Sequence, residues 1–271
     1  MSGSVLLKVT GAIAAVTLSH PGKLNAMSRE MWRKLAQAFK AIQHDQSIRC
    51  AVIQGGSTDF CAGGDISEYA DFRFEKTTLR NFHEDDVWGG LEAMLYCDVP
   101  IIARIEGNCM GAGLEIASCC DIRIAESAAR FGAPIAKLGF PMAPREAALL
   151  VRALGELTVR EMLLSAVVLD AAEMKQRGFL NRVVFNTDMD ADVSSLTDRI
   201  CKLAPAAARL NKQTFRTAGP LIQAEVAIKL VADAYDYADS AEHHEGIAAF
   251  IEKRPPHFAC VAHKSSTLIR P

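Results

Sequence analysis

Glu106-Gly-Asn-Cys-Met-Gly-Ala-Gly-Leu-Glu115 decides how this chain folds. An apolar strand candidate, Ile101-Ile-Ala-Arg-Ile105, precedes it, and the apolar run 116–120 follows. The order is strand, glycine-rich turn, helix. Glycine at such a turn lets backbone N–H groups come close to a ligand, and the first N–H groups of a helix have no partner within it. That combination makes a site for an oxyanion. Glu115 comes three residues after Ala112, so one helical turn brings its carboxylate near whatever those N–H groups hold. A carboxylate beside an anion site suits proton transfer next to a carbonyl. Taken alone, the turn serves packing as readily as catalysis. Two nucleotide motifs do not fit it. Gly107, Gly111 and Gly113 are not spaced G-x-G-x-x-G, and no Lys-Ser or Lys-Thr follows.

Upstream, Asp59-Phe-Cys-Ala-Gly-Gly-Asp-Ile-Ser-Glu-Tyr69 repeats the pattern, with a glycine pair at the exit of the strand candidate Cys50-Ala-Val-Ile-Gln54. With this second motif in register with the first, the chain resembles the crotonase (enoyl-CoA hydratase/isomerase) superfamily. Further matches follow in order. They are His20-Pro-Gly-Lys-Leu-Asn-Ala-Met27, Cys120-Asp-Ile-Arg-Ile-Ala125 with Phe131-Gly132, Gly178-Phe-Leu-Asn-Arg-Val183 and Ala248-Ala-Phe-Ile-Glu-Lys-Arg254. Together they span residues 5–258. The resemblance implies an α/β fold: a ββα spiral core over 1–196, carrying an acyl-CoA site, and a helical oligomerisation region over 197–271 that packs trimers or hexamers.

Chemistry beside a thioester needs donors for the oxygen that becomes an enolate, and an acid or base at Cα or Cβ. The resemblance assigns the first task to the backbone N–H groups of Gly64 and Ala112. Ala112 stands where the family usually has glycine, and keeps the N–H. Glu115 matches the first of two catalytic glutamates used by the hydratases. The second is absent: Phe-Gly-x-Pro-Glu becomes Phe131-Gly-Ala-Pro-Ile135, and the Gly-Ala-Gly-Gly that follows becomes Met142-Ala-Pro-Arg145. Hydration is the expectation for the group. Isomerisation, decarboxylation or a non-catalytic acyl-CoA-binding role is the alternative that Ile135 raises. Residues that could supply another acid or a cation are Glu68, Tyr69, His83, Glu84, Asp85, Asp86, Trp88, Arg145 and Glu146. Each is more simply read as a solvated helix face or loop. An acyl group with its own carboxylate would need a cation, and Arg145 is the candidate. By resemblance, Lys23, Leu24, Ala62, Asp65, Phe250 and Lys253 contact CoA, the last two across a subunit boundary. Tyr69, Trp88, Ile135 and Phe140 line the acyl pocket.

The rest of the chain narrows the class. It has 271 residues, half of them apolar, and a net charge of −2, so it can bury a large core and shows no basic field for nucleic acid. The eight cysteines include no C-x-x-C, and the histidines lack ligand spacing, so reduced, buried thiols and no metal are expected. No separate cofactor is called for, because CoA arrives with the substrate. The N-terminus lacks a charged segment with a long apolar run, and no apolar stretch approaches membrane-spanning length, which implies a cytoplasmic protein with no membrane partner. Residues 5–9 and 12–18 read as a hairpin around Gly11, and Ser28 as the cap of a helix to about His44. A polar stretch over 70–80 and a helix from there to about Tyr96 come next. Asp170 is a cap candidate, and 221–237 an amphipathic helix whose face carries Ile222, Val226 and Leu230.

Overall fold

The computed structural model describes residues 2–217, 236 and 238–256. All but one residue of the helix expected over 221–237, and with them Ile222, Val226 and Leu230, lie outside the described residues.

The hairpin forms as β1 (Ser4–Thr10) and β2 (Ile13–Ser19), antiparallel around Gly11, which sits at φ +58°. Ser28 caps α1 (Arg29–His44) by accepting a hydrogen bond from Met31 N–H at 3.2 Å. Beyond β2 the sheet is parallel. β3 (Cys50–Gly55), β4 (Ile101–Ile105), β6 (Ile122–Glu126) and β9 (Arg182–Val184) complete the order β1-β2-β3-β4-β6-β9. Both faces of the central strands are covered, which explains their continuous apolar sequence. Ala51, Ile53, Ile101 and Ala103 join the main core with Leu35 and Phe39 of α1. Their sequence neighbours Cys50, Val52 and Ile102 point to the other face, against Met189, Val193, Leu196 and Ile200 of α8 (Met189–Cys201). The domain boundary expected at 196/197 therefore falls inside α8, a helix that belongs to the sheet.

A second sheet, β5-β7-β8, is built from Asn108–Met110, Arg130–Gly132 and Val168–Asp170. Strands alternate between the sheets: β4 leads to β5 and then α4 (Ala112–Ser118), and β6 leads to β7. Cys61 bridges to Cys109 of β5, so β3 makes the same step. This is the ββα spiral that the resemblance implies.

One expected element changes. The segment over 70–80 is not a polar loop followed by a regular helix. A 3-10 turn (Ile66–Asp71) is followed by α2 (Lys76–Asn81), a π-helical stretch (Phe82–Val87) and α3 (Trp88–Leu95). Farther on come α5 (Pro144–Leu154), α6 (Glu156–Ser165), α7 (Ala171–Gln176) with Asp170 as its cap, and α9 (Pro205–Thr217). The last described helix is Ala241–Ile251.

Candidate active site

Two parallel bridges, Met27 to Gly64 and Cys61 to Cys109, clamp the first glycine loop. Met27 N–H donates to Gly63 O at 2.8 Å, and Asp65 N–H donates to Met27 O at 2.9 Å. The residue between those contacts, Gly64, turns its own N–H the other way, as parallel pairing requires. Gly63 adopts φ +115°, open to glycine. A Cβ on Gly64 would fall 2.1 Å from Tyr69 Oη, so glycine is required there unless the tyrosine moves. Gly111, at φ +45°, starts α4 and donates its N–H to Gly132 O at 2.9 Å. A Cβ on Gly113 would lie 2.7 Å from Cys61 O, so the first turn of α4 presses directly on the first glycine loop. Among the described residues, no backbone acceptor takes the N–H of Gly64 or of Ala112.

Both glycines of the first loop, Gly111 and Ala112 line one cavity of about 620 Å³, and Glu115 lines it too. Glu115 is only 6% exposed. Burial pushes its carboxyl well above the usual carboxylate range, and the nearby Glu146 pushes it the same way, while Arg73 pulls it down. Lys23, Leu24, Ala62 and Asp65 line the cavity, and Lys23 Nζ donates to Asp65 Oδ2 and Ser67 Oγ, each at 2.7 Å. Tyr69, Ile135, Phe140 and Phe250 line it as well.

Trp88 and Arg145 lie elsewhere, and Lys253, assigned to a neighbouring subunit's CoA, is outside the cavity of its own chain. Trp88 turns away from the cavity: its Nε1–H donates to Glu92 at 3.2 Å, and Trp32 and Val87 take the lining positions. Lys253 lies past the end of the last helix and does not line the cavity, whereas Phe250 lines the cavity of its own chain. Arg145 is no pocket cation. It pairs with Glu84 at 3.2 Å and lies over the Trp88 ring.

A fully buried cation of the cavity is instead Arg73, which no motif in the sequence singles out. It is 1% exposed, with its guanidinium carbon 4.3 Å from the centre of the Tyr69 ring and 4.0 Å from that of Phe140. Its Nε–H donates to His243 Nε2 at 3.4 Å. His243 can accept there because its Nδ1 meets Ala238 O at 2.9 Å and so carries the proton, and burial holds its pKa down to about 4. The aromatic run around position 73, Tyr69, Phe72 and Phe74, is the signal that could have marked this arginine as buried.

Glu146 also enters the cavity. It sits in the first turn of α5, which Pro144 opens, and is 4% exposed. His83, buried on the π-helical stretch, shares a 2.6 Å hydrogen bond with it through Nδ1 and Glu146 Oε1. The distance would suit an ion pair, but burial opposes charge on both partners. It pushes Glu146 up to about 8 and His83 well below its ordinary value. Burial therefore favours a neutral carboxylic acid and imidazole over an ion pair. The other candidate acids are engaged or outside. Asp86 receives Arg29 and Arg33 at 2.7 and 2.6 Å, Glu68 accepts Arg29 N–H at 2.9 Å, and Asp85 is exposed.

The enoyl-CoA hydratase/isomerase family profile matches residues 8–260. A probable enoyl-CoA hydratase of Mycobacterium bovis is 31% identical over 258 residues, covering 94% of this chain and 97% of that protein. Among solved structures, an enoyl-CoA hydratase/carnithine racemase from Magnetospirillum magneticum is 36% identical with a TM-score of 0.78, covering 96% of this chain and 97% of that one. A methylmalonyl-CoA decarboxylase in complex with 2-nitronate-propionyl-CoA is 25% identical with a TM-score of 0.84, covering 95% and 99%.

Proposed function

This chain belongs to the enoyl-CoA hydratase/isomerase family, and on that footing we propose that its cavity takes an acyl-CoA thioester and stabilises its enolate at the N–H groups of Gly64 and Ala112, with Glu115 moving the proton. One observation carries this reading. Two strand-exit glycine motifs put Gly64 and Ala112, whose N–H groups have no backbone acceptor among the described residues, in the wall of the cavity that Glu115 lines. Donors fixed in a dry cavity stabilise charge as it develops on the thioester oxygen, and cost no reorganisation at that moment. The CoA arm runs past Lys23, Leu24, Ala62 and Asp65, where a flexible ammonium can meet phosphate. Enoyl-CoA hydration is the reaction we assign, in keeping with the activity named for the mycobacterial relative. The chain assembles as a homotrimer or hexamer.

Ile135 supports a second reading, in which the chain moves a double bond or decarboxylates, since either reaction needs the enolate and fewer proton-transfer groups. Likeness to a methylmalonyl-CoA decarboxylase goes the same way.

Titration calorimetry with acetoacetyl-CoA tests the shared part. Micromolar binding, about −8 kcal/mol, is expected. Glu115→Gln should keep that binding and lower kcat by about 10²–10⁴ on the best substrate of an acyl-CoA panel. Absence of binding removes the acyl-CoA reading, and an unchanged kcat removes Glu115 from the chemistry.

A further inference from the structure

We propose that Glu146, oriented by His83, is the second proton-transfer group of this site, and that it reaches the cavity from α5 in place of the carboxyl that position 135 lacks. This rests on the acyl-CoA reading above and settles its open choice in favour of hydration.

Three observations converge. Glu146 and Glu115 line the same cavity, and α4 packs against α5. Glu146 has a fixed orientation, because His83, buried on the π-helical stretch, holds one of its carboxyl oxygens at 2.6 Å. Its position is also costly. A carboxyl in the first turn of a helix is best placed in water, where the helix terminus favours its ionised form. Burying it beside a second carboxyl forfeits that benefit, and such groups concentrate at functional sites. Of the carboxyl groups nominated from the sequence as another acid, only Glu146 lines the cavity.

The proton count then closes. Hydration needs one proton between the two carboxyls; burial disfavours ionising both, Glu146 adds to the rise at Glu115, and the Arg73 guanidinium draws both down and so favours a single ionised carboxylate. In hydration, the water oxygen bonds to Cβ and a water proton passes to the ionised carboxylate. The Cα–Cβ π pair shifts into the enolate, whose oxygen rests on the Gly64 and Ala112 N–H groups. The protonated carboxyl gives its proton to Cα as the enolate collapses. One proton has moved from one carboxyl to the other, and no further reactant is needed. His83 Nδ1–H donates to Glu146 Oε1 in both states, and the proton that is transferred sits on the other carboxyl oxygen.

The titratable groups around Glu146 are His83 and Glu84 on the π-helical stretch, Arg73, and Glu115 on α4, with His243 of the last helix next to Arg73 and His83. The test uses the full chain with crotonyl-CoA, longer straight-chain enoyl-CoAs and an enoyl-CoA carrying a terminal carboxylate, and acetoacetyl-CoA as the binding probe. The wild-type rate should be bell-shaped in pH. Glu146→Gln should lower kcat by about 10²-fold or more and remove one limb of the bell, with acetoacetyl-CoA still bound. His83→Gln should shift that same limb and leave the other in place, a result that a purely structural role would not give. If Glu146→Gln folds poorly, Glu146→Asp carries the comparison: a displaced limb supports the proposal, and an unchanged profile overturns it. Wild-type rates in Glu146→Gln overturn it. So does a wild type that binds acetoacetyl-CoA but hydrates none of the panel. Failure to bind acetoacetyl-CoA at all instead removes the underlying acyl-CoA reading.

Discussion

Glu146 shows what a buried carboxyl does to a protein's stability. Burial raises it from an ordinary 4.5 to about 8, so between those values the folded chain binds more protons than the unfolded one. Stability then falls as pH rises through that window and levels off above it. Glu146→Gln removes the ionisation and its slope. The variant's melting temperature should exceed that of the wild type by more at pH 8 than at pH 5, and an equal gap at both would show that Glu146 carries no such cost. Ile135→Glu makes a complementary case. It restores the family's missing acid, but adds a carboxyl to a cavity that already holds the buried Glu115 and Glu146. We expect a lower melting temperature and no gain in crotonyl-CoA hydration, and a faster variant would show that the site lacks an acid. Which of these residues the sequence could disclose follows from locality. Gly64, Ala112 and Glu115 sit inside short motifs whose spacing is set within one strand, turn and helix. Arg73 and His83 acquire their roles only from partners far along the chain, His243 and Glu146. Nothing in the spacing around them specifies those partners.

The last described helix closes the cavity, and a single glycine sets how near it comes. A Cβ on Gly246 would lie 2.1 Å from Leu138 C and 2.6 Å from Gly139 N, both backbone atoms that cannot swing aside. The helix thus lies directly on the turn Ile135–Leu138, brings His243 to Arg73, and places Phe250 in the cavity wall. Phe74 stacks on His244 of the same helix, with ring centres 3.8 Å apart. Gly246→Ala should force the helix outward. Urea unfolding should report a loss of about 1–3 kcal/mol or more, and acetoacetyl-CoA binding should weaken with it. Unchanged stability and binding would mean that the helix does not seat there. Elements with strong local signals were readable in advance. The hairpin around Gly11 and α1 with its Ser28 cap are examples. The π-helical stretch was not, because no local spacing marks a wider turn, and the polar side chains of His83 and Asp86 read as a solvated face although both are buried.

Across the whole chain, the alternation of Ala51 and Ile53 with Cys50 and Val52 sends one strand's side chains into two cores, and this fixes the sheet between α1 and α8. Apolar runs announced buried parallel strands, yet no run of residues announces that β5, β7 and β8 form a sheet of their own. Those pairs join positions as distant as Arg130 and Asp170. Phe185, Leu210 and Phe215 remain exposed on the single chain, in keeping with the self-association we propose. Light scattering at micromolar concentration should return three or six times the 29.4 kDa chain mass, and a 29.4 kDa particle would contradict it. Enolate stabilisation itself can be observed without turnover. Acetoacetyl-CoA carries an acidic Cα, and donors fixed at its thioester oxygen favour the enolate, which has its own absorption band. Mixed with the full chain at neutral pH, acetoacetyl-CoA should bind and develop that band. Binding without any enolate band would contradict an oxyanion site at Gly64 and Ala112.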